Sequence, residues 1–154
     1  MRELKHMRLR RQARGLTLVE LMVVLVILAL LSAIVYPLYT SQTRKARRVE
    51  AKSTLMGIAL AQERRLSRVG RYGTAAQLGA EYTELIDRMT DRDGAAGPDY
   101  YTIVVAAPTP TTFTVTATAR GAQEKDTACK TFTVDQLGKR TAKNASDVVS
   151  NTCW

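Results

Sequence analysis

A single carboxylate, Glu20, interrupts an apolar run that begins at Leu16 and continues to Tyr36. In hydrocarbon a charged side chain costs roughly 2.5 to 3.5 kcal/mol on insertion scales, so an acid here needs a partner, a proton or a task. One local task is available, since Thr17 and Glu20 stand at capping-box spacing, where each side chain satisfies a backbone N–H of the first helical turn. Other chemistry is sparse. His6 is the only histidine, and no Gly-rich phosphate loop follows a candidate strand, so an enzyme is the weakest functional class. Cys129 and Cys153 both lie in the last 26 residues; an isolated pair fits a disulfide in an oxidising compartment better than a metal site, which wants three or four ligands. Asp87, Asp91, Asp93 and Asp99 lack the ordered spacing of a calcium loop, and Arg88 and Arg92 dilute their field, so that stretch reads as a solvated loop with no metal. Lys139, Arg140 and Lys143, with Lys125 and Lys130 nearby, could capture DNA phosphates. Residues 120 to 154 carry a net charge of only +2, and lysines in such a field are ordinarily a solvated surface.

The formal charge of +9 changes meaning when divided by segment. Residues 1 to 15 hold six Lys/Arg (Arg2, Lys5, Arg8, Arg10, Arg11, Arg14) against Glu3, a net +5, and the rest of the chain is net +4. If the leader is removed, most of the electrostatic case for a polyanion partner leaves with it. The apolar run has about the 20 residues that a spanning helix needs. A secretory signal peptide fits poorly, because Leu31-Ser32-Ala33 is a weak cleavage site after the apolar region. An uncleaved signal anchor explains Glu20 locally, but not why Gly15 stands directly before the apolar run. The basic leader favours a cytoplasmic amino terminus, while Arg44, Lys45, Arg47 and Arg48 compete from the other end. The cysteine pair tips the balance toward an external carboxy-terminal domain.

Arg14-Gly15 followed by Leu16-Thr17-Leu18-Val19-Glu20-Leu21 resembles the prepilin motif of type IV pilins and type II secretion pseudopilins. The resemblance implies cleavage between Gly15 and Leu16 by a membrane prepilin peptidase, N-methylation at Leu16, and retention of the apolar run as an assembly helix. Glu20 becomes the fifth mature residue, the family's acidic position. Leu16 departs from the usual phenylalanine there. Pro37 falls where many pilins have a helix-bending proline. Cys129 and Cys153 resemble the pair that ties a pilin's carboxy-terminal region to its sheet, and Asp126-x-x-Cys129 with terminal Cys153-Trp154 is most similar to minor pilins of the PilE type. Physically, a carboxylate could neutralise a neighbouring subunit's new amino terminus in a filament core, offsetting two burial penalties and favouring one register.

The elements that must position these residues follow from pattern. Only Pro37 and Gly57 interrupt a helix-favouring composition from Thr17 to Val69, and Pro37 is expected to kink that rod. Beyond it, Val49, Met56 and Leu60, flanked by Leu55, Ile58, Ala59, Leu66 and Val69, recur at helical spacing and predict one face packed on a sheet. Residues 70 to 99 form a glycine-rich connection with a short helix over Glu81 to Met89. Strands are expected over Tyr100 to Ala106, Phe113 to Ala119, Thr131 to Val134 and near Lys139 to Thr141, with Pro108-Thr109-Pro110 as a hairpin loop. Alternation puts Phe113 and Val115 toward the helix and the threonines outward. The expected fold class is α+β, a long amino-terminal helix packed on an antiparallel sheet of about four strands, the type IV pilin fold. Its organisation is a leader (1 to 15), a hydrophobic transmembrane and assembly half-helix (16 to 43) and a globular domain (44 to 154).

The function expected is that of a structural subunit of a type IV pilus, a minor one, supporting assembly, adhesion, twitching motility or DNA uptake. Its partners would be other pilin subunits, the prepilin peptidase, the inner-membrane assembly machinery and the membrane, with no cofactor. Before assembly it would sit in the inner membrane with its globular domain in the periplasm, and afterwards in a surface filament. A pilus-associated DNA-binding module is one alternative. A type II secretion pseudopilin is another, favoured if the cysteines are reduced and calcium stabilises the fold.

Overall fold

The computed structural model describes residues 17–87 and 100–154. Helix α1 covers Leu18–Val69 and continues through Pro37. Thr17 starts it: its Oγ1 accepts the Glu20 N–H (3.2 Å), which satisfies one of the orphan donors of a helix start. It stops at Gly70, whose φ of 73° lies in the left-handed region that glycine adopts without strain, and whose N–H donates to the Leu66 carbonyl (2.8 Å).

The chain divides at Thr40/Ser41 into two compact units. In the first, every described residue from Thr17 to Tyr39 is exposed, and from Leu21 on these are almost all large and apolar. A bare run this long is a surface awaiting lipid or other chains rather than water.

The second unit is built on a four-stranded antiparallel meander in the order β1 (Tyr101–Thr109), β2 (Thr112–Ala119), β3 (Thr131–Asp135) and β4 (Arg140–Lys143). The alternation holds: Phe113, Val115 and Ala117 are buried, while Thr114 and Thr116 lie on the opposite face. Registers Val115↔Val134 and Ala117↔Phe132 continue the buried face across β3, and Phe132↔Ala142 carries it to β4. The first hairpin is tighter than its proline content suggests. β1 runs on through Pro108 to Thr109, with a register irregularity between Ala106 and Thr109, so the turn itself is Pro110-Thr111. Pro108 is tolerated because β1 is an edge strand.

The α1 face that packs here matches the expected one in part, with Leu55 and Ile58 buried and Ala59 and Leu66 against the core. Ala51, Leu55, Ile58 and Gln62 form the buried seam, whereas Val49 and Leu60 remain 62% and 51% exposed. The seam is set by small side chains: Ala51, Thr54 and Ala61 let α1 approach closely while Leu55 and Ile58 fill the core. Two short helices follow, α2 (Ala75–Leu78) and α3 (Ala80–Asp87). The first was not expected; the second begins at Ala80, and Met89 lies outside the described residues. Gly57 makes room for α3, since a Cβ there would meet Leu85 Cδ2 at 2.6 Å.

The two sheet edges differ: a side chain bonds β1 at one point, while the carboxy-terminal tail lies along β4. On β1 the Tyr82 hydroxyl donates to the Ile103 carbonyl (3.3 Å). On β4 the carboxy-terminal tail forms a bridge between Lys143 and Val149, and the Ser150 N–H donates to the Ala142 carbonyl (2.8 Å). A disulfide between Cys129 and Cys153, with Cα atoms 5.8 Å apart, holds that tail, and the Trp154 ring packs edge-on against Phe132 at 5.8 Å.

Candidate functional site

Three places hold the residues that sequence reasoning singled out. The first is the start of α1. Gly15 and Leu16, the expected cleavage and methylation positions, lie outside the described residues. Glu20 is exposed in the first turn, where the helix dipole favours an acid. Only half of the capping box forms through Thr17, and among the described residues the Glu20 carboxylate has no partner.

The second place is a buried polar lock between α1 and a 3-10 helix, Gly121–Lys125, that the sequence reading did not anticipate. The Arg48 guanidinium grips Asp126 with two hydrogen bonds, from Nε to Oδ2 and from Nη2 to Oδ1. Gln123, fully buried, has Nε2 within hydrogen-bond distance of Asp126 Oδ2 (3.0 Å), the Tyr101 hydroxyl (3.1 Å) and the Arg44 carbonyl (3.3 Å), three acceptors that share its two N–H bonds. Lys52 adds a bond from Nζ to the Cys153 carbonyl (3.0 Å), linking α1 to the disulfide-bound tail. The hydrogen bond to Asp126 holds the Arg48 guanidinium above its ordinary pKa against the opposing effect of burial. Burial pushes the Tyr101 phenol up to about 12. A signal for this lock did exist, because Arg48 and Lys52 lie one turn apart on α1 and Asp126 stands three residues before Cys129. Pairing them required the fold.

The third place is the basic surface, and here the structure separates what the sequence grouped. Arg140 shares the core-facing register of Ala142, and its guanidinium sits 5.8 Å from the centroid of the Trp154 ring. Lys143 lies on the opposite face and donates from Nζ to the Asp147 carboxylate (3.0 Å). Lys139 is exposed in the turn that the Asp135 carboxylate closes by accepting the Leu137 and Lys139 N–H groups. The trio is therefore not one patch. A denser one stands at the end of α1, where Arg64, Arg65, Arg68 and Arg71 fall within eight residues. Arg68 donates to Glu81 (2.8 Å) yet keeps 66% of its side chain exposed, and Arg64 is 58% exposed. The Tyr72 N–H, next to Arg71, donates to the Pro110 carbonyl (2.8 Å), so the β1–β2 turn adjoins this patch. Among the described residues no group of acids, histidines or cysteines could hold a metal ion.

A span-length apolar helix continued into a helix that packs on a four-stranded meander, with a carboxy-terminal disulfide, defines a type IV pilin subunit. The family described as "Type IV minor pilin ComP, DNA uptake sequence receptor" matches residues 37–133, and the chain belongs to it. A second family, described as "Prokaryotic N-terminal methylation motif", matches residues 10–36. Among solved structures, one titled "High-Resolution Structure of a Type IV Pilin from Shewanella oneidensis" is similar at 23% identity, covering 72% of this chain and 97% of that one, with a TM-score of 0.48. No curated protein matches the chain.

Proposed function

We propose that this chain is a minor pilus subunit that enters the filament through α1 and captures DNA with its globular unit. The observation that carries this reading is the match of residues 37–133, most of that unit, to a family described as a DNA uptake sequence receptor. The trio Lys139, Arg140 and Lys143 lies beyond the matched residues, whereas Arg64, Arg68 and Arg71 lie within them. We therefore assign first contact with phosphates to the arginine ridge at the end of α1.

Maturation follows the motif in this reading. Cleavage after Gly15 exposes Leu16 for methylation, Pro37 bends α1, and Glu20 neutralises the amino terminus of an adjacent subunit. The apolar run crosses the inner membrane before assembly, with the globular unit in the periplasm. The role is structural and receptor-like rather than catalytic.

The test is DNA binding by the full chain in detergent micelles across a salt series. Each phosphate contact contributes about −0.9 to the slope of log K against log salt, so Arg64/Arg68/Arg71→Gln should flatten the slope by up to about 3. A Lys139/Lys143→Gln variant should change it far less. Salt-independent binding, or an unchanged slope in the arginine variant, refutes the assignment.

A further inference from the structure

The apolar run of α1 ends on two exposed tyrosines, Tyr36 and Tyr39, and the next charges along the chain are Arg44, Lys45 and Arg47. The fold enlarges this basic turn. Gln123 bonds the Arg44 carbonyl and Asp126 grips Arg48, which pins the 3-10 helix against this part of α1 and brings exposed Lys125 to its level. The Arg47 guanidinium lies 3.1 Å from the centroid of the Tyr100 ring. The Arg120 N–H donates to the Tyr100 carbonyl (3.0 Å), so the backbone of a further exposed arginine is fixed to the residue whose ring Arg47 covers. Asp126 is neutralised by Arg48, leaving Glu124 as the acid on the 3-10 helix and Glu50 further along α1.

We infer that this collar docks on the phosphate headgroups of anionic phospholipid at the membrane face where the apolar run ends. The inference rests on the membrane-spanning reading of that run. About 20 residues at 1.5 Å each cross the roughly 30 Å hydrocarbon layer, which places Tyr39 at its border if the crossing begins near Glu20. Tyrosine rings settle at that border. Arg44 to Arg47 follow Tyr39 by only five to eight residues in the chain, and long basic side chains reach back to a headgroup layer whose phosphates lie only about 5 to 7 Å beyond the hydrocarbon. A basic cluster beside a span meets lipid phosphate at high local concentration, and each basic residue there adds roughly fivefold to the attraction. Lipid is favoured over DNA as the occupant because so few residues separate the collar from the apolar run that a membrane-crossing run keeps it near the headgroups.

The test uses the full chain in phosphatidylcholine vesicles carrying spin-labelled phosphatidylglycerol or spin-labelled phosphatidylcholine, with lipid association read by electron spin resonance. Phosphatidylglycerol should associate several-fold more strongly, the preference should shrink as salt is raised, and Arg44/Lys45/Lys125→Gln should reduce it markedly, with Arg47 and Arg120 holding the remainder. Arg48 is left intact because it holds the globular unit together. The salt series on the unmodified chain tests the collar even if the variant misfolds. Equal association of both lipids, or a preference undiminished by the triple substitution, overturns the inference. Loss of DNA binding in that variant with the lipid preference intact reassigns the collar to nucleic acid and also overturns it. Failure of the chain to co-float with phosphatidylcholine vesicles refutes the membrane reading itself, and the collar with it.

Discussion

Replacing Arg48 with alanine removes both hydrogen bonds to a carboxylate whose side chain is only 3% exposed, leaving Asp126 with Gln123 Nε2 as its remaining side-chain donor. Breaking a buried pair in this way costs about 3 to 5 kcal/mol, against about 0 to 1 kcal/mol for an exposed pair. The Arg48 side chain is 22% exposed, so water can enter the vacated space and the lower end, about 3 kcal/mol, applies. For a domain of about 100 residues that lowers Tm by on the order of 10 °C or more. Trp154 is the only tryptophan and packs against Phe132, so its fluorescence during heating in micelles reports the globular unit without interference from the apolar run. The double variant Arg48→Met/Asp126→Leu separates the cause from general disruption. It removes both charges, and Gln123 Nε2 keeps the Tyr101 hydroxyl and the Arg44 carbonyl as acceptors, so it should recover most of the loss. An Arg48→Ala protein within about 0.5 kcal/mol of the parent would show that the pair acts as a surface contact and that the lock is not what joins α1 to the 3-10 helix.

Cysteine replacement, Cys129→Ser with Cys153→Ser, opens a loop with a sequence separation of 24 and should cost about 3.5 kcal/mol on the chain-entropy account, read in the same melting assay with reductant on the parent as its control. The Tyr101 phenol, raised by burial to about 12, should contribute stability that is complete below pH 10 and declines as pH rises from about 10, the unfolded value, toward about 12; burial raises Tyr72 and Tyr82 as well, so absorbance titration should show several late tyrosines, and a Tyr101→Phe protein should lack the one near 12. Glu20→Ala should leave processing largely intact and impair incorporation into filaments, measured as the ratio of processed to filament-borne subunit; normal incorporation would sink the proposed pairing with a neighbour's amino terminus.

What could be read from the residues depended on the range of the interactions involved. The helix start at Thr17, the stop at Gly70, the strand alternation around Phe113 and Val115, and the cysteine pair are local or low-multiplicity signals, and all appear in the structure. The packing face of α1 is legible only in part: Leu55 and Ile58 are buried as the pattern predicts, but the pattern weights the larger Val49, Met56 and Leu60 over Ala51 and Ala61, whose smallness is what permits close approach. The Arg48 to Asp126 pair spans 78 positions, and no periodicity encodes such a partner. The Lys139, Arg140 and Lys143 cluster dissolved for a simpler reason: consecutive residues in a strand point to opposite faces, so closeness in sequence divides a charge cluster there. On the last turns of α1, by contrast, Arg64 and Arg68 share a face because they are four residues apart.

The covered β4 edge of the sheet bears on how this molecule can polymerise. An open strand edge offers unpaired N–H and C=O groups to any other chain, and is the common route to uncontrolled fibres. Here the Tyr82 hydroxyl sits on one edge, and a tail fastened by the Cys129–Cys153 bond lies along the other. Reducing that bond would free a ladder partner as well as a cross-link. A subunit of a fibre thus carries protection against the wrong fibre along its β4 edge, and the oxidant that closes its last loop fastens that protection in place.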